Sequence, residues 1–83
     1  MKYMVSIKFI PGHQPEIAAL TPQERAHVAE LRTKGIIDTL YLSYENGSLV
    51  WIVMNGDSKE SVQKALESFP MYPYMITEIA TLA

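Results

Sequence analysis

The chain of 83 residues has no cysteine, so neither a disulfide nor a thiolate metal site is open to it. It also lacks an excess of positive charge. Seven Lys and Arg stand against nine Asp and Glu, a net charge of −2, which leaves no phosphate-neutralising surface and argues against nucleic acid as a partner. Its longest uninterrupted apolar run, Leu49 to Met54, is six residues, against the roughly 20 that cross a bilayer, and Lys2 is not followed by a signal-peptide core. A soluble, cytoplasmic protein with no membrane partner is expected. There is no glycine-rich phosphate loop, no G-x-S-x-G elbow, no H-x-x-x-H pair and no acidic cluster, so no metal or other cofactor is expected. Carboxylate, imidazole and phenol remain, a set suited to proton transfer in an enclosed apolar cavity.

What is present is the composition of a folded domain, 48% apolar and 19% charged. The length predicts one domain over residues 1–83. A chain this short buries only about 60–65% of its unfolded surface, so a lone copy would be marginally stable. Lys2 to Ile10 alternates as a strand, with Tyr3, Val5, Ile7 and Phe9 on one face and Met4, Ser6 and Lys8 on the other. Pro11 and Gly12 end it. Pro11 to Leu20, with two prolines and no clear period, reads as a connecting loop with room for one helical turn. A helix is then expected from Thr21 as N-cap, Pro22 at the first position and Glu24 closing a capping box, ending at Gly35.

Ile36 to Tyr44 and Ser48 to Asn55 are β-rich runs joined by Asn46-Gly47, the dipeptide of a two-residue type I′ hairpin. That turn would set Leu42 opposite Trp51 and Leu40 opposite Val53 on one face, with Tyr41 and Ile52 paired on the other. After Gly56, either Asp57 or Ser58 caps a second helix, in which Val62, Ala65, Leu66 and Phe69 fall at helical spacing before Pro70 stops it. Tyr74 to Leu82 forms a fourth strand. The order βαββαβ predicts a ferredoxin-like α+β fold, a four-stranded antiparallel sheet with both helices on one face. A sheet face open to water should alternate apolar with polar, yet Leu49 to Met54 is apolar at every position. The economical cover is a second copy packed sheet to sheet, so a homodimer or a higher homo-oligomer is expected.

Glu24 shares a helical stripe with Val28, Leu31 and Gly35, at the start of the face that packs on the sheet. A carboxylate against an apolar wall has its charged form disfavoured and is poised as a general acid or base; a simple capping role would point it to solvent instead. His27, one turn on at the edge of that stripe, is placed to assist it, whereas His13 reads as a surface residue of the first loop. Trp51, Tyr41 and Tyr72 are the candidates for lining a pocket around a small ring-shaped ligand, although aromatic residues equally serve a core or a dimer interface.

The segment Leu66-Glu67-Ser68-Phe69-Pro70-Met71-Tyr72-Pro73-Tyr74-Met75 resembles the muconolactone isomerase family at its helix end, its Pro-x-x-Pro-Tyr turn and its final strand. Counted back from Gly35, Glu24 falls where that family has a helix-start glutamate. The resemblance implies a dimeric α/β barrel, often built into larger oligomers, and cofactor-independent isomerisation of a small lactone acid in aromatic catabolism. Two other functions remain open: a non-catalytic small-ligand binder or accessory oligomer on the same barrel, and a cofactor-free monooxygenase of an aromatic substrate.

Overall fold

The computed structural model describes residues 1–45 and 49–83. Strand β1 (Lys2–Phe9) leads to helix α1 (Gln14–Thr33), strands β2 (Ile37–Ser43) and β3 (Leu49–Asn55), helix α2 (Lys59–Glu67), a 3₁₀ turn (Tyr72–Tyr74) and strand β4 (Met75–Thr81). The sheet order is β2-β3-β1-β4 and every neighbouring pair is antiparallel. This is the ferredoxin-like arrangement expected from the order of elements.

Alternation in β1 turns Tyr3, Val5 and Ile7 inward, where they are buried with Ile52 and Met54 of β3, Leu31 of α1 and Val62 and Leu66 of α2. Ser58 caps α2: its hydroxyl accepts from Ser61 N–H, and Ser61 Oγ accepts in turn from Ser58 N–H. Gly35, at φ +77°, ends α1. Its N–H reaches Arg32 O while Ile36 N–H reaches Leu31 O, a Schellman closure that only a residue free to adopt positive φ makes without strain.

Two expectations are corrected. Helix α1 starts at Gln14, with Pro15 in its first turn and Glu16 beside it, so Thr21, Pro22 and Glu24 lie in its interior. No capping box forms there. Thr21 Oγ1 donates instead to Ile17 O at 3.3 Å. Pro22 is tolerated because it lies on the exposed side, where the carbonyl one turn earlier, on exposed Ala18, is open to solvent. With the longer helix, the inward stripe becomes Ile17, Thr21, Glu24, Val28 and Leu31.

The second correction is the hairpin register. Tyr41 pairs with Trp51, Leu40 with Ile52 and Leu42 with Val50, one residue away from the pairing a two-residue turn demands. Asn46-Gly47 itself lies outside the described residues. Because side chains alternate, the shift puts Leu40, Leu42, Val50 and Ile52 on the helix-covered face and Tyr41 with Trp51 on the open one. Five residues, 44–48, separate the last paired residues Ser43 and Leu49.

Candidate active site

Between α1 and the covered face of the sheet lies a cavity of about 480 Å³, in the range that holds a single-ring ligand. Its walls are mostly apolar. Ile7 and Phe9 of β1, Leu40 of β2 and Val50 and Ile52 of β3 face Ile17 and Val28 of α1, and Phe69 and Met71 of the crossover turn close one side. Glu24 stands in this wall. Its Oε1 accepts the backbone N–H of Met71 at 3.1 Å, which ties the middle of α1 to the turn after α2. Among the described residues Oε2 has no hydrogen-bond partner, and it is reachable from solvent.

Burial pushes the Glu24 carboxyl above the ordinary carboxylate value, outweighing the Met71 N–H and the nearby His27, which both favour the charged form. The result is a half-buried acid with one oxygen anchored and one free. That is the geometry of a group that takes up and releases a proton, because anchoring fixes the carboxyl plane while the free lone pairs meet the ligand.

His27 does not line the cavity with Glu24. Its Nε2 lies 2.7 Å from Ser68 Oγ, and that hydroxyl gives its own hydrogen to Ala65 O, so the network assigns the imidazole hydrogen to Nε2. The ring also stands edge-on to Phe69, at 5.5 Å between centroids. His27 thus clamps α1 to the end of α2 and makes no hydrogen bond to Glu24 among the described residues.

The three aromatic candidates fall elsewhere. Trp51 and Tyr41 sit side by side on the open sheet face, Trp51 partly covered and Tyr41 57% exposed, as the corrected register requires. Tyr72 lies in the 3₁₀ turn, its hydroxyl accepting from Gln63 Nε2 of α2 at 2.9 Å. None of the three is among the described residues that line the cavity. What does line it, and what residue-by-residue reading overlooked, is a pair of guanidiniums, Arg25 and Arg32. Their spacing of seven, with Ala29 between, puts all three on one stripe beside that of Glu24, a signal visible in the sequence once α1 is known to be helical.

Solved structures share the fold, among them these two. The 5-chloro-2-hydroxyhydroquinone dehydrochlorinase TftG of Burkholderia phenoliruptrix AC1100, in complex with 2,5-dihydroxybenzoquinone, is similar at a TM-score of 0.80 and 16% identity, over 100% of this chain and 94% of that one. A muconolactone isomerase is similar at a TM-score of 0.78 and 20% identity, over 100% and 88%. No curated protein sequence matches the chain significantly. The family model described as muconolactone delta-isomerase, by contrast, matches residues 1–83, and the chain therefore belongs to the muconolactone delta-isomerase family.

Proposed function

We propose that the protein is a cofactor-independent isomerase that shifts a proton within a small lactone or related cyclic acid, with Glu24 as the acid–base group. The observation that carries this reading is the placement of Glu24: a half-buried carboxylate in the wall of an apolar cavity, with Oε2 unengaged among the described residues. Oε2 removes a proton from one end of an allylic system conjugated to the ring carbonyl. The electron pair spreads over the resulting dienolate, and the same carboxyl returns the proton at the other end, so that one C–H bond breaks, another forms and the double bond moves. The apolar walls keep water from the dienolate, and a raised carboxyl affinity for protons brings Glu24 nearer to that of the carbon acid. Family membership supports the reaction class, and the ring-shaped ligand of the TftG complex supports the size of ligand a cavity on this fold accepts.

The open sheet face belongs to the same proposal. Trp51 and Tyr41 lie there side by side, on strands whose opposite face is already covered, and a second copy packed sheet to sheet would bury them. The homodimer supplies the stability that a domain of this size lacks alone.

The test is muconolactone in D₂O, followed by NMR. Wild type should shift the double bond, with deuterium at the receiving carbon only to the extent that the Glu24 carboxyl exchanges its proton with solvent before returning it. Glu24→Gln, which keeps an acceptor for Met71 N–H, should be slower by about 10²–10⁴-fold, the usual worth of a positioned general base. Glu24→Gln turning over at the wild-type rate would overturn the assignment.

A further inference from the structure

The cavity has an apolar interior and a cationic margin, and the margin is not explained by folding. Some of the charge on and beside α1 has local partners. Lys34 donates to Glu30 at 2.9 Å, and His27 and His13 lie 4.0 Å from Glu30 and Glu16. Off the helix, Lys2 pairs with Asp38 at 2.7 Å. Arg25 and Arg32 are different. Their helical neighbours three and four positions away are Thr21, Pro22, Val28, Ala29 and Gly35, so neither has an intrahelical acid within reach. Among the described residues neither guanidinium lies within 4.0 Å of a carboxylate. Both nevertheless line the cavity, one helical stripe away from Glu24, and the Ala29 between them keeps the wall low.

We propose that Arg25 and Arg32 form the anion-binding rim of this cavity and set its specificity for a ring ligand that carries a carboxylate. The proposal rests on reading the cavity as the substrate site. An apolar ring fills the space between β3 and α1, while its carboxylate stays at the mouth and takes charge-assisted hydrogen bonds from the guanidinium forks. The rim also answers an electrostatic problem. An ionised Glu24 in a chain of net charge −2 repels an anionic ligand, and two cations at the entrance offset that repulsion while fixing which end of the ring reaches Oε2. Arg32 lies in the last turn of α1, where a cation also suits the helix dipole, but Arg25 is in mid-helix and has no such role.

The experiment compares wild type with R25Q/R32Q and R25K/R32K on muconolactone and on its methyl ester. The side chains are exposed, so the variants should fold like wild type. R25Q/R32Q should raise KM for the acid by roughly tenfold or more with kcat nearly kept, leave KM for the ester within about twofold, and abolish the preference for the acid. R25K/R32K should recover part of that preference, because charge is kept and the bidentate fork is lost. An unchanged KM for the acid in R25Q/R32Q, or an equal loss on acid and ester, would overturn the rim. If wild type turns over neither lactone, the isomerase reading fails by itself and a titration of benzoate against benzyl alcohol decides the rim. Benzoate favoured by wild type and not by R25Q/R32Q sustains it, and no benzoate preference in wild type removes it.

Discussion

The two faces of the sheet carry the same kind of residue for different ends. On β3, Val50, Ile52 and Met54 face the helices, and Ile52 and Met54 are almost wholly inaccessible. Their immediate neighbours Trp51 and Val53 face the other way, onto a surface shared with Tyr41, Met4 and Ala80. The covered face pairs its apolar residues with a carboxylate and two guanidiniums and leaves a void. On the open face the polar members, Lys2, Ser6, Lys8, Thr39, Ser43, Asn55 and Glu78, are spread across all four strands. An apolar surface with functional groups and a cavity suits a ligand, and one without them suits another protein surface.

The sharpest way to break this comparison is to cut adjacent residues of one strand. Ile52→Ala removes a side chain that is 1% exposed and should cost about 2–5 kcal/mol at any protein concentration, enough to unfold much of a marginally stable domain. Chemical denaturation at two concentrations measures it. Trp51→Ala, on the open face, should act through assembly: its loss of apparent stability should appear only at concentrations where wild type is dimeric, and the sedimenting species moves from dimer toward 9.4 kDa at micromolar protein. A wild type that sediments as a stable monomer would end the dimer proposal, and equal, concentration-independent losses in the two variants would make the faces energetically alike.

How much of this was legible depended on which signals are local. The alternation of β1, the Gly35 stop and the spacing of Val62 and Leu66 are short-range patterns, and each appears in the structure where the pattern put it. The start of α1 is masked because Pro22 mimics a first-turn proline, although Pro15 and Glu16 carry the same local signal earlier in the chain. The register error has one cause with a large consequence. A shift of one residue between β2 and β3 brings Trp51 and Tyr41, expected on opposite faces, together on the open face and away from the cavity. The inward placement of Glu24 is independent of both the helix start and the register, since its angular position relative to Val28 and Leu31 does not depend on where the helix begins. Its bond to Met71 N–H joins residues 47 apart and has no trace in local pattern.

The smallest expected effect is the most specific to the covered face, and it concerns pH. Because burial raises the affinity of Glu24 for its proton, the folded state binds that proton more tightly than the unfolded chain does. The protonated carboxyl therefore favours folding: its contribution is fully present below the ordinary glutamate range and is lost as pH rises through the raised folded value. Wild type should thus lose stability relative to Glu24→Gln across that window. Glu30, held below the ordinary range by its hydrogen bond to Lys34, is common to both proteins and cancels in the difference. Activity must move the other way, because only the ionised carboxylate accepts a proton, so the acid limb of kcat/KM should lie above the ordinary glutamate value and rise where relative stability falls. Thermal unfolding of both proteins and a kcat/KM profile of wild type over the same pH range read the two trends together. An acid limb at or below the ordinary value, with no stability difference between the proteins, would mean that Glu24 is solvated like any surface acid and that the cavity does not desolvate it.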